Sequence, residues 1–165
     1  MKKVILAFGV MGFLVGGGVG SAQGQEKKLA FSLNLGVQTN LYSDSSFDNA
    51  WLTLDARLGI PIGKHVEISP EIMAAVDDSL NFEAVWLYPG MILNFKLGNF
   101  FAGAGAVLPI IFYEGESDSG NLAPKVNIGY TAGHLTLTAY ILTWTEEYMD
   151  FLDINFIGAT IGYRF

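Results

Sequence analysis

The stretch Leu29-Ala30-Phe31-Ser32-Leu33-Asn34-Leu35-Gly36-Val37-Gln38 decides the fold, because apolar side chains alternate along it with small or polar ones. Successive side chains of a β-strand point to opposite faces, so a period of two predicts a strand with one apolar face. The same alternation recurs along the rest of the chain. It predicts eight strands, at residues 28–41, 51–60, 65–76, 83–95, 100–113, 122–132, 135–144 and 154–165.

The connections between these strands alternate between short and long. Short turns lie near Gly63, Gly98 and Gly133, and carry Lys64, Lys96 and His134. The long connections are acidic and hold Asp44, Asp48, Asp77, Asp78, Glu114, Glu116, Asp118, Glu146, Glu147 and Asp150. An even number of strands with this alternation is typical of a transmembrane β-barrel. We therefore predict an all-β fold, an eight-stranded antiparallel up-and-down barrel whose acidic connections face outward.

The first 22 residues have a different pattern. Met1-Lys2-Lys3 is basic, residues 4–15 are apolar, and the small residues Gly20 and Ala22 occupy cleavage-type positions. This is the pattern of a secretory signal peptide, and the apolar run is too short for a membrane-spanning helix. We expect residues 1–22 to be a signal peptide and residues 23–165 to form one barrel domain.

Composition excludes several classes of function. The formal net charge is −7, and cleavage would also remove Lys2 and Lys3, so a nucleic-acid partner is not expected. The chain has no cysteine, which excludes disulfides, thiolate chemistry and cysteine-bound zinc. No phosphate loop, dinucleotide fingerprint or metal-ligand spacing is present, so we predict no cofactor and no metal site.

Charged residues are predicted on the inward faces of the strands. An eight-stranded barrel is just wide enough for its interior side chains to fill, so a general porin is not expected. Because unpaired buried charges are costly, these residues should form one mutually neutralising network. They are Asp55, Arg57, Glu67, Glu71 and Lys125. The alternative is a narrow ion path or a proton-titrating plug built on Glu67 and Glu71.

Three prolines, Pro70, Pro89 and Pro109, fall inside predicted strands. Each removes a ladder hydrogen bond, so we expect bulges or rim positions to accommodate them. A turn at Pro89-Gly90 would change the strand count.

Aromatic residues gather at both ends of the strands. One interfacial girdle is predicted on the outward faces near the short turns, from Phe31, Phe95, Phe100, Tyr130, Tyr163 and Phe165. A second set, Trp51, Trp86, Tyr88 and Trp144, lies near the long connections. Alternation places the three tryptophans inward, lining a mouth that would suit an apolar or sugar ligand. A slipped register would instead turn them outward into a second girdle, and this alternative is favoured.

The chain ends Ile157-Gly158-Ala159-Thr160-Ile161-Gly162-Tyr163-Arg164-Phe165, which resembles the C-terminal signature of outer-membrane barrels. The resemblance implies that the barrel-assembly machinery recognises Tyr163 and Phe165. The segments Ile68-Ser69-Pro70-Glu71, Tyr88-Pro89-Gly90-Met91 and Phe101-Ala102-Gly103-Ala104-Gly105 are also similar to the outer-membrane β-barrel superfamily that includes OmpX-like and OmpA-like proteins. This resemblance implies that the protein lies in the cell outer membrane, in contact with the lipid and lipopolysaccharide of that membrane.

These observations predict an outer-membrane barrel with a structural or surface-interaction role, monomeric and without enzyme activity. One alternative is a barrel that binds or transports a small apolar molecule. A second is a lipid A modifying enzyme, for which His65 and His134 are the candidate general bases and Thr136 is the hydroxyl near His134. A soluble lipocalin-like barrel would need a polar exterior. The acidic connections are expected to be solvated. The alternative is that they bind calcium or magnesium.

Overall fold

The computed structural model describes residues 29–40, 50–77, 84–143 and 154–165, with the backbone alone for Asp77, Ile154 and Asn155. The predicted signal peptide and Trp144 lie outside these ranges. So do six acidic residues of the predicted connections, Asp44, Asp48, Asp78, Glu146, Glu147 and Asp150. Among the described residues, no helix is long and apolar enough to cross a membrane.

The described residues form ten strands that account for the eight predicted ones. The strands are β1 (Ala30–Asn40), β2 (Ala50–Pro61), β3 (Val66–Asp77), β4 (Ala84–Leu97), β5 (Phe100–Val107), β6 (Ile110–Tyr113), β7 (Glu116–Ser119), β8 (Ala123–Ala132), β9 (Leu135–Thr143) and β10 (Ile154–Arg164). Strands β5 and β6 together occupy the predicted fifth strand. Strand β6 pairs with β7, and β5 pairs with β8. Strands β7 and β8 therefore lie on the same side of the predicted fifth strand and together occupy one place in the ring.

All pairings are antiparallel, and they close into a ring because β1 pairs with both β2 and β10, and β3 pairs with β4. The fold is therefore a closed eight-stranded barrel. When the register is followed once around the ring from Ala30, it returns to β1 at Asn40. A stagger of this kind tilts the strands relative to the barrel axis.

Burial is reversed relative to a water-soluble protein. On β9, Thr136, Thr138 and Tyr140 are buried inside the ring, whereas Leu135 and Leu137 are exposed on its outside. The same alternation runs along β1 and β2, where the predicted inward and outward faces are confirmed. The barrel thus has an apolar outer surface and a largely polar interior.

The expectation that bulges or rim positions accommodate the prolines was wrong for Pro70 and Pro89. The β3–β4 register runs unchanged through both, so Pro89-Gly90 is not a turn. Pro109 separates β5 from β6, but β4 pairs with both in one continuous register. Each proline has no N–H to donate to the ladder. The register on both sides of it is nevertheless the same, because the neighbouring residue pairs maintain it. The carbonyl of Pro89 still accepts a hydrogen bond from the Leu108 amide at 2.8 Å.

The predicted acidic loop at residues 114–121 is instead mostly a β-hairpin. Strands β6 and β7 pair across a two-residue turn formed by Glu114 (φ 49°) and Gly115 (φ 86°). Positive φ at both turn residues is the geometry whose twist matches that of paired strands, and glycine adopts it at little cost. The hairpin carries the exposed acidic side chains of Glu116 and Asp118 at the long-connection end.

The predicted girdle is present at the short-turn end. Phe31 and Tyr163 each contact Phe165, with ring centroids 5.9 and 4.9 Å apart. Phe100 and Tyr130 form an edge-to-face pair at 4.8 Å. Aromatic side chains gathered in one band are typical of a membrane–water interface.

Candidate functional site

Four charged side chains form a layer across the middle of the barrel interior, here called the ionic layer: Asp55, Arg57, Glu71 and Lys125. Arg57 and Glu71 are directly paired residues of β2 and β3, and Lys125 reaches them from β8. The guanidinium of Arg57 lies 2.6 Å from Asp55 Oδ2 and 3.0 Å from Glu71 Oε2. Lys125 Nζ donates to Glu71 Oε1 at 2.5 Å. Two acids and two bases thus neutralise one another where water is excluded.

Glu67, the fifth residue of the predicted network, belongs to a separate group near the short turns. Its Oε2 atom accepts from Lys96 Nζ and from Arg164 Nη2, the latter at 3.0 Å. Its Oε1 atom accepts from the Ser69 hydroxyl at 3.3 Å. Sequence reasoning missed Lys96 and Arg164. The signal was available, because each follows an outward aromatic residue and alternation therefore places it inward.

Three aromatic residues of the predicted mouth, Trp51, Trp86 and Tyr88, lie in the interior above the ionic layer. Trp86 lies against Trp51, Tyr88 and Phe156, with ring centroids 5.9, 6.2 and 6.5 Å apart. These four rings, together with Met73, Val107, Tyr140 and Leu142, are here called the aromatic layer. The favoured outward register was therefore wrong for Trp51 and Trp86. The register shows no slip at either residue, and Trp86 pairs with the buried Ala75 of β3, so both rings lie inside against the buried cluster.

Small inward residues also make room within the polar part of the interior. A side chain at Gly158 would collide with the ring of Tyr140, and one at Gly103 would collide with the amides of Asn94 and Asn127. The Tyr140 hydroxyl donates a hydrogen bond to Gln38 Oε1 at 3.0 Å. The interior is thus packed by matching large side chains on one strand to glycines on another.

The two histidines lie at the short-turn rim. His134 Nδ1 is 2.7 Å from the carbonyl oxygen of Arg164, and its ring stacks on Tyr163 at 5.2 Å. His65 Nδ1 is 3.1 Å from the carbonyl oxygen of Lys96. Thr136 is buried inside the ring, so its hydroxyl and the His134 imidazole lie on opposite faces of the sheet. Within the described ranges, no group of three or more His, Cys, Asp or Glu side chains is placed to hold a metal ion.

Comparison with solved structures confirms the predicted fold class. The chain is similar to Neisserial surface protein A, with a TM-score of 0.55 and 9% identity over 82% of this chain and 94% of that chain. It is also similar to the Yersinia pestis outer membrane protein Ail in a phospholipid bilayer nanodisc, with a TM-score of 0.53 and 10% identity over 84% of this chain and 100% of that chain. No protein-family model and no curated protein matches the sequence. At these identities the likeness concerns the fold.

Proposed function

We propose that this chain is an integral barrel protein of the bacterial outer membrane, with a structural or surface-interaction role. One observation carries the proposal. In the strands other than β7, every acidic or basic side chain that the structure describes lies on the inward face: Asp55, Arg57, Glu67, Glu71, Lys96, Lys125 and Arg164. A water-soluble barrel has no reason to keep charges off its exterior, whereas a charge that faces lipid costs about 2–4 kcal/mol at the bilayer midplane.

The interior supports a structural role over a transport role. The ionic layer is self-neutralised, and the aromatic layer above it is filled by its own side chains. A carrier of small apolar molecules would need an open cavity among these rings, but Trp86 contacts three of its neighbours. A lipid A modifying enzyme receives no support from His134 and Thr136, which face opposite sides of the sheet.

The long-connection end is the part of the barrel that we propose to meet the cell's surroundings. The β6–β7 hairpin presents exposed Glu114, Glu116 and Asp118 there, and its strands continue the sheet beyond Pro109. The basic short-turn end would then face the periplasm. Similarity to Neisserial surface protein A supports a surface-exposed role for a barrel of this size.

Electrophoresis of fractionated cells tests this proposal. The protein is expected in the outer-membrane fraction, and unheated and boiled samples should migrate at different apparent masses, because a closed barrel remains folded in detergent until it is boiled. A soluble periplasmic protein with one mobility would contradict the proposal and would favour the lipocalin-like alternative.

We also propose that the barrel-assembly machinery recognises Tyr163 and Phe165. Replacing Phe165 by Ala should lower the amount of folded barrel in the outer membrane several-fold, as judged by the heat-dependent band. Phe100→Ala is the matched control, because both phenylalanines are 65% exposed in the same girdle. Equal losses for the two variants would show that Phe165 acts only as a girdle residue.

A further inference from the structure

The short-turn half of the barrel contains two connected features that the proposed role does not use. An open recess of about 330 Å³ lies at the rim, and its polar lining comes from Lys96, Asn99, Thr131 and Arg164. A small cavity of about 30 Å³ lies further inside, also lined by Lys96 and Arg164. The two cationic side chains therefore stand between the recess and the interior. Above them, among the described residues, the ionic and aromatic layers occupy the interior.

The recess is positively charged. None of the described residues that line it is acidic. Lys96 and Arg164 are held together by a single carboxylate oxygen of Glu67, so the group of three keeps a net charge of about +1. Their side chains remain 27% and 29% exposed, whereas that of Glu67 is 8% exposed. The carboxylate thus holds the two cations from inside and leaves them accessible from the rim.

The inner cavity has a different chemistry. Asn94 donates through Nδ2 to the Ser69 hydroxyl at 2.9 Å, but its buried Oδ1 has no hydrogen-bond donor among the residues that the structure describes. An orphan acceptor in a space of this size suits a water molecule, which can donate to it. An anion would meet this oxygen unfavourably, so it would remain in the outer recess beside the two cations.

We propose that the recess binds a phosphate group. The planar guanidinium of Arg164 and the ammonium of Lys96 are the donors that proteins use most often for this group. The Thr131 hydroxyl can add a further hydrogen bond. The phosphate belongs either to a small periplasmic solute or to the headgroup of an anionic phospholipid, since Phe100 of the girdle also lines the recess. This site goes beyond the proposed surface role and lies at the opposite end of the barrel.

Titration followed by amide NMR tests the site. The protein, purified from membranes in a maltoside detergent, is titrated with inorganic phosphate or with a soluble short-chain phosphatidylglycerol, with chloride holding the ionic strength constant. Saturable shifts are expected at Gly98 and Gly133, which line the recess. Shifts with phosphate indicate a free solute as the source, and shifts with the lipid alone indicate a headgroup. The absence of saturable shifts in both titrations overturns the proposal.

Three variants distinguish a specific site from general electrostatic attraction. Lys96→Gln and Arg164→Gln should each weaken binding by about tenfold, the loss of one charge-assisted hydrogen bond. Lys64→Gln removes the same charge from an exposed turn at the same end and should change binding less than about twofold. Equal weakening by Lys64→Gln and Lys96→Gln would overturn the proposal.

Glu67→Gln should act in the opposite direction. It removes the carboxylate that competes for both cations, so phosphate should bind several-fold more tightly, an effect that a merely structural role of Glu67 does not predict. Weaker binding by this variant would contradict the site. Each variant is first checked for the heat-dependent mobility shift, so a failure to form the barrel is distinguished from a failure to bind.

Discussion

Replacing Glu71 by Gln is expected to lower the free energy of unfolding by about 3–5 kcal/mol, the cost of leaving a buried charge without its partner. Glu71 neutralises Lys125, whose side chain is fully buried, at 2.5 Å and also contacts Arg57. The amide that replaces the carboxylate retains the shape but not the charge. The measurement is denaturant unfolding in detergent micelles, followed by the heat-dependent band or by tryptophan fluorescence.

Two further variants show whether the loss comes from the uncompensated charge. Glu116→Gln makes the same chemical change on an exposed residue of the β6–β7 hairpin and should cost no more than about 0.5 kcal/mol. Adding Lys125→Met to Glu71→Gln should recover a large part of the stability, because the orphaned ammonium is removed. If the double variant is as unstable as the sum of the two single variants, the two residues are not coupled in the way that the ion pair requires.

Replacing Leu35 by Arg is expected to destabilise the barrel by about 2–4 kcal/mol in lipid vesicles. Leu35 lies at the centre of β1 with 64% of its surface exposed. In a water-soluble protein, an exposed leucine can be replaced by arginine at little cost. In the proposed orientation, the same residue faces the middle of the bilayer, where the guanidinium loses its hydration.

Leu29→Arg is the matched control for depth. Leu29 is 55% exposed on the same face of the chain but lies beside the short-turn girdle. Arginine near the interface should cost only about 0–1 kcal/mol. Unfolding in vesicles of the two variants therefore tests membrane insertion directly, and equal, small losses for both would contradict a lipid-facing exterior.

The two-residue periodicity predicted the strands and their faces, because each strand of a closed barrel turns one face inward, and the alternating short and long connections predicted the strand order. It placed Asp55 and Arg57 inside for the same reason. It did not predict the β6–β7 hairpin, since acidic residues were taken as a sign of a loop. The pair Glu114-Gly115 was the relevant signal, because a glycine at a two-residue turn favours a hairpin.

The candidate sites were harder to predict, because alternation gives direction but not depth or distance. It gave no means of separating Glu67 from the ionic layer, which lies at a different level of the barrel. The inward positions of Trp51 and Trp86 were disfavoured because tryptophan is common at membrane interfaces. What decides them is the pairing of β2 and β4 with β3, which runs without a register shift and which a single strand does not reveal.

The closed stagger from Ala30 to Asn40 restricts how this sequence can change during evolution. Every described strand except β7 has partners on both sides, so a strand that slides against one must also slide against the other. Inserting one residue within a strand, without a bulge such as the register shift of β10 between Ile154 and Phe156, would turn its outward leucines inward and its charges outward beyond that point. Length changes are therefore tolerated in the connections or as pairs of residues within a strand. Divergent descendants of this barrel are expected to keep their strand lengths and to vary at the rims.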